Sequence, residues 1–196
     1  MEIENKTLVK NIQDSFLGLL NNYLPKDILD KARQGNTVKI LSIACGRFRE
    51  AKSIFDYFQK YENHVKLYGI DVDNDLLKLV KEEKVTIKCA DAKNIESYKE
   101  WLSNGKFDLI IVRHPEITLN TDDFIKIFST CVNVIALDGH LLITTHYEDE
   151  KNVVKNLLKL LKFNVLTDVK NEHSPSLKKD NESIFVDRFL LLASAY

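Results

Sequence analysis

Carboxylates and imidazoles stand directly after the β-branched runs of this 196-residue chain, and their spacing is that of a composite site. The run VKILSIA (38–44) leads into Cys45-Gly46, where Gly46 lets the backbone turn tightly into a helix whose free N–H groups can face a ligand. VKLYGIDV (65–72) carries Asp71, 25 residues after Gly46, an acid placed to accept hydrogen bonds from the two hydroxyls of a ribose. A charge-assisted bond of that kind contributes about 1.5–3 kcal/mol. VTIKCA (85–90) is followed by Asp91, which can accept from an exocyclic amine, while FDLIIVR (107–113) precedes His114 and HLLITTH (140–146) ends on His146. Imidazole titrates near neutral pH, so either histidine suits general-base work. Each aspartate alone would serve equally as an N-cap or turn former, and each histidine as a strand cap. Their joint placement after successive strands is what points to a site.

For these strand ends to lie together, the strands must share one sheet. The spacing predicts helices between them: one from Leu8 to Tyr23 broken at Pro25, a short one reaching Gly35, then Ala51–Lys60 and Asn74–Lys81. Further helices are expected from about Asp122 to a C-cap at Asp138-Gly139, and over Val153–Leu161. FDLIIVR is a near-continuous apolar run, the mark of a parallel strand buried on both faces. The ending departs from alternation, because FNVLTDVK (163–170) and SIFVDRFLLLASAY (183–196) read as two strands joined only by the polar loop NEHSPSLKKDNE. They should form an antiparallel hairpin. The expectation is a single α/β domain over 1–196. It has a three-layer Rossmann-like core (36–196), with a mostly parallel seven-stranded sheet and a C-terminal antiparallel hairpin, behind an N-terminal helical extension (1–35) that caps the site.

Composition excludes several classes. Lys and Arg (28) balance Asp and Glu (29) to a net charge of -1, which argues against a strongly basic nucleic-acid module and an acidic disordered tail. Three cysteines, with no CxxC pair, fit neither a disulfide framework nor a thiolate zinc site and suit a reducing cytoplasm. The first residues lack the pattern of a signal peptide, and no apolar stretch approaches the 18 or so residues a membrane span needs. A site of His114 and His146 with Glu116 or Glu148 matches no specific metal spacing, so no metal is expected.

With these residues in view, the chain from 38 to 196 resembles the class I S-adenosylmethionine-dependent methyltransferases. SIACGRFRE stands where that family has its glycine-rich first motif, GIDVD at the acidic end of the second strand, and CADA at the adenine-contacting motif. FDLIIVRHPE matches the fourth strand with its catalytic loop, and LDGHLLITT the turn into the fifth. The resemblance implies S-adenosylmethionine as cofactor. Ala44, Cys45 and Gly46 would approach its methionine part, Asp71 its ribose and Asp91 its adenine amine, with Val72 and Ala92 lining the adenine slot. Phe48 and Glu50 of the first motif, and Arg113 of the fourth, join the cofactor-binding set on the same ground. Ala44 and Phe48 stand where the family usually has glycine. A ring at a loop position that favours positive φ costs conformational energy unless the turn is redrawn.

The function so implied is methyl transfer to an oxygen or nitrogen acceptor, with His114 as the first candidate for the base and His146 as the second. With no added recognition domain, the 1–35 helices and the 171–182 loop must cover the site, which suits a small-molecule acceptor. Lys178, Lys179 and a basic C-terminal helix leave RNA or a phosphorylated metabolite as the alternative acceptor. A different class of reading, suggested by Phe48, is a non-catalytic relative that serves as a binding or partner subunit. His64, His140 and His173 read as structural, Trp101 as a packing residue, and Cys45 as small rather than nucleophilic.

Overall fold

The computed structural model describes residues 6–179 and 182–195. Its centre is built by the strands that are buried along most of their length: β1 (Val38–Ile43), β4 (Phe107–Arg113) and β5 (Ile135–Thr145). β2 (Val65–Asp71) and β3 (Val85–Cys89) extend the sheet on one side; β9 (Phe189–Ser194) and β6 (Asn164–Lys170) complete it on the other. The order is β3-β2-β1-β4-β5-β9-β6, with β1 to β5 parallel and β9 antiparallel to both its neighbours. The chain runs outward from β1 to β3, then returns to lay β4 on the other flank of β1. Between those two strands the connections diverge, and the carboxyl ends there form a crevice.

Successive residues of a strand face opposite ways, so each strand feeds two cores. Ile40, Leu109, Ile111 and Leu142 face α1 (Lys6–Tyr23), α2 (Lys26–Arg33) and α3 (Glu50–Phe58). Leu41, Ile110, Val112 and Leu141 face α6 (Thr121–Val134) and α7 (Glu148–Leu160). α1 docks through Ile12, Phe16, Leu19 and Leu20, spaced to lie on one stripe; burying each such side chain contributes about 1.5–3 kcal/mol.

Four expectations need correction. The helix after β2 is a single turn, α4 (Asn74–Leu77), capped by the Asp73 carboxylate, which accepts from the Asp75 and Leu76 N–H groups. α6 stops at Val134 rather than at Asp138-Gly139, because β5 begins at Ile135 and bulges against β4 between Phe107 and Leu109. A Cβ on Gly139 would lie 2.9 Å from the Phe107 carbonyl oxygen, so this glycine serves strand approach, not a helix cap. The final run is not one strand. It breaks at Val186-Asp187 into β8 (Glu182–Phe185) and β9, and β8 pairs with β7 (Ser176–Lys179) from the supposed loop, forming a separate two-stranded hairpin. Only α1 of the N-terminal pair reaches the crevice; α2 lies at the opposite edge, where Lys31 meets Asp108 at the start of β4 (2.6 Å). Residues 1–5 of the expected cap lie outside the described residues.

Phe48 shows how the redrawn first turn is accommodated. Its φ is +50°, in the left-handed region, and its ring is 2% exposed, packed on β2 where Gly69 leaves room. A Cβ at Gly69 would come within 2.7 Å of that ring and 2.9 Å of Cys45 Sγ. Gly69→Ala should therefore cost about 1–3 kcal/mol in denaturant unfolding through overpacking, and Phe48→Leu in the same chain should recover part of the loss.

Candidate active site

The crevice begins where β1 ends. Ala44 (φ +53°), Gly46 (+52°) and Phe48 (+50°) alternate left-handed conformations, folding the chain back into α3. Asp71, at the end of β2, holds this turn: its Oδ2 accepts the Gly46 N–H at 2.7 Å and its Oδ1 the Asp73 N–H at 2.8 Å. Each carboxylate oxygen has a second lone pair, so the group can still accept from a ligand hydroxyl. On β3's far side Asp91 is exposed and accepts the Lys93 N–H at 2.9 Å. Between them Val72 presents a 71% exposed isopropyl group, while Ala92 turns into the core.

From Ala44 and Cys45 a cavity of about 350 Å³ runs to the ends of β4 and β5. Of the residues singled out in the sequence, Ala44, Cys45, Glu50, Arg113, His114 and His146 line it. Phe48 and Ala92 do not: both side chains belong to the core. Asp71, Val72 and Asp91 lie beyond this cavity, on the open side of the Gly46 turn. Burial, with Glu50 and Asp71 nearby, pushes the Cys45 thiol far up, which keeps it protonated and non-nucleophilic.

A buried ionic network forms the floor. Arg113 donates from Nε and Nη2 to the two Asp187 oxygens (3.1 and 2.5 Å) and from Nη1 to Glu50 Oε2 (3.3 Å), and its guanidinium lies 4.5 Å from the Phe16 ring centroid. Glu50 in turn accepts from Ser42 Oγ (2.5 Å), and Thr144 Oγ1 donates to Asp187 Oδ1 (2.6 Å). Arg113 thus links Glu50 to Asp187, and both Arg113 and Glu50 line the cavity. Burial opposes ionisation of Asp187, but the Arg113 guanidinium outweighs it and holds the carboxyl well below the usual carboxylate range. Burial likewise works against the charge of Arg113, which Asp187 and Glu50 more than restore.

Asp187 lies in VDRFLLL, whose apolar run has the pattern of a strand. The signal was an Asp-Arg pair interrupting an apolar run. Four apolar liners were missed too, Ile12 of α1, Leu76 of α4, Leu177 of β7 and Val186, together with Arg47 and Arg49. Leu177 and Val186 bring the small hairpin over the cavity, which suits the covering role expected of 171–182. Lys178 is exposed on β7, and the Lys179 side chain lies outside the described residues. His173 is exposed, His140 is buried near the start of the parallel part of β5, and Trp101 packs against Tyr68 and Tyr98. Among the described residues no group of three or more His, Cys, Asp or Glu could hold a metal ion, and no helix is long and apolar enough to cross a membrane.

No protein-family model and no curated protein matches the sequence. Solved structures do match the fold. The PH0226 protein from Pyrococcus horikoshii OT3 aligns over 99% of this chain and 93% of its own, with TM-score 0.67 and 14% identity. N-methyltransferase NodS from Bradyrhizobium japonicum WM9 aligns over 98% of both chains (TM-score 0.55, 13% identity). Magnesium protoporphyrin IX methyltransferase from Synechocystis PCC 6803, solved with bound S-adenosylmethionine, aligns over 99% and 86% (TM-score 0.56, 11% identity). The chain has the Rossmann-like fold of S-adenosylmethionine-dependent methyltransferases.

Burial lowers the pKa of His114 from 6.5 to about 4, with Asp187 opposing the fall only in part. Its folded value is thus below its unfolded one, so the unfolded chain binds the extra proton first, and this group's contribution to stability is full above pH 6.5 and lost between 6.5 and 4. The loss should be on the order of 3 kcal/mol in denaturant titrations across that window, and His114→Asn should flatten it. A slope unchanged in the variant would remove His114 as its source.

Proposed function

We propose that this chain is a methyltransferase that binds S-adenosylmethionine at the carboxyl edge of β1–β3 and methylates an oxygen or nitrogen of a small-molecule acceptor. The observation that carries the reading is the Asp71–Gly46 hydrogen bond: a carboxylate with spare lone pairs is fixed at the β2 end, beside a cavity that leads to two imidazoles. The donor set fits the group. A nucleoside offers hydroxyl and amine donors, and the acceptors available at these strand ends are Asp71 and Asp91, with exposed Val72 as an apolar wall between them.

In this reading Asp71 accepts from the ribose and Asp91 from the adenine amine. The Ala44-Cys45-Gly46 turn backs the methionine part. The bound cofactor supplies an electrophilic methyl group on sulfonium sulfur. The protein holds the acceptor within the cavity and excludes water; orienting two reactants in this way can remove about 7–11 kcal/mol of the barrier. Phe48, with its ring in the core, leaves the cavity open, which favours this reading over a partner subunit without catalysis. Cys45, Cys89 and Cys131 are unpaired, and we assign the enzyme to a reducing cytoplasm.

Calorimetric titration with S-adenosylmethionine and S-adenosylhomocysteine tests this. Binding in the micromolar range, about 8 kcal/mol, is expected. Asp91→Ala should weaken it by about tenfold, the loss of one good hydrogen bond, and Asp71→Ala by more because the turn is released as well. No heat with either nucleoside from the folded wild-type protein would reject the assignment.

A further inference from the structure

The two imidazoles stack face to face, ring centroids 3.9 Å apart and planes 16° from parallel, yet their nitrogens are not equivalent. His146 Nδ1 lies 2.9 Å from the Phe185 carbonyl oxygen. A carbonyl only accepts, so Nδ1 carries the hydrogen and Nε2 of the neutral ring is the lone-pair nitrogen. Nε2 accepts no hydrogen bond from a described residue, and the ring lines the cavity.

His114 is the reverse case. Its Nε2 is 3.0 Å from the Asp187 backbone nitrogen and 2.9 Å from Asp187 Oδ1. That carboxylate already accepts from Arg113 and Thr144, whereas the Asp187 N–H has no other acceptor among the described residues. Buried donors are paired in folded proteins, so Nε2 is the acceptor and the hydrogen of His114 sits on Nδ1. Protonating Nε2 would break that bond inside a buried site.

We propose that Nε2 of His146 is the proton acceptor for methyl transfer, that His114 is a neutral positioning residue stacked on it, and that the acceptor is a neutral hydroxyl or N–H compound entering in its protonated form. This rests on the methyltransferase reading above. The balance closes: the acceptor's O–H or N–H bond breaks, its proton goes to Nε2, its electron pair forms the new bond to carbon, and the C–S pair returns to sulfur. One cation, imidazolium, replaces another, sulfonium.

The surroundings support an imidazolium at His146. Glu150 Oε2 accepts the backbone N–H groups of His146 (3.2 Å) and Tyr147 (3.1 Å), which sets a carboxylate within the same turn. Arg113 opposes the charge, but Asp187 and Glu50 offset it, and Arg47 and Arg49, which line the same cavity, each engage another group. His114 adds no second charge, its pKa lying at about 4. The Tyr147 ring packs edge-on against His146, 6.1 Å away between centroids. Ile12, Leu76, Leu177 and Val186 give the same cavity aliphatic walls, with Arg47 and Arg49 also lining it, which favours a compact acceptor with an apolar frame and polar groups.

Long-range proton–nitrogen correlation spectra of the ¹⁵N-labelled full chain at pH 7, with and without S-adenosylhomocysteine, read both tautomers directly. His146→Gln and His114→Asn assign the signals. The expected result is a pyrrole-type Nδ1 and a pyridine-type Nε2 for His146, with His114 neutral down to about pH 4 and its hydrogen on Nδ1. A hydrogen on Nε2 of His146, or a pyridine-type Nδ1 on His114, would overturn the assignment while nucleoside-induced shifts still upheld the methyltransferase reading. No shifts with the nucleoside would remove that reading and this proposal together.

Discussion

One buried carboxylate ties the working edge of this protein together. Asp187 is fully buried and gathers donors from Arg113 on β4 and Thr144 on β5, while its backbone N–H meets His114. Removing a carboxylate from water costs several kcal/mol, and it is stable here only because the guanidinium fork and the hydroxyl replace its hydration. The same contacts hold backbone that would otherwise relax. Asp187 (φ +53°) and His114 (φ +51°) both sit in the left-handed region, where a non-glycine residue is strained by about 1–3 kcal/mol. The network over-determines both positions, and so fixes where the imidazoles face.

The rest of the site follows from that anchor. Arg113 reaches past Asp187 to Glu50, the first residue of α3, whose other oxygen takes Ser42 from β1. The first turn and the β4 end are therefore set in register with one another, with α1 closed over them through Phe16. The turn at Asp187 also aims the β7–β8 hairpin. Its Phe185 carbonyl meets His146, and Val186 N–H bonds to the Pro175 carbonyl at 2.8 Å, so Leu177 and Val186 are delivered to the cavity. One side of the crevice is thus built by the segment that interrupts the last strand, and the other by the turn that follows the first.

Most of the fold was legible because its signals are local. An apolar run such as FDLIIVR is a buried parallel strand whatever lies around it, and Asp71 and Asp91 stand after strands whose ends the sheet order brings to one edge. What was not legible depends on partners distant in sequence. Asp187 looks like a strand residue until Arg113, 74 positions away, is known to face it. Phe48 looked like an obstruction in a glycine-rich turn because the room for its ring is made by Gly69 on the next strand. The partners of His114 and His146 are distant in the same way: a backbone N–H of the last turn occupies one imidazole, and a carbonyl from the hairpin holds one nitrogen of the other.

The central claim is that the nucleoside and the reactive imidazole share one crevice at the β1–β4 switch point. The most direct measurement is a crystal structure of the protein with S-adenosylhomocysteine. The expected density places the ribose hydroxyls on Asp71, the adenine beside Val72 and Asp91, and the thioether sulfur in the cavity before His146. A nucleoside bound elsewhere on the sheet, or one whose sulfur faces away from that cavity, would contradict it.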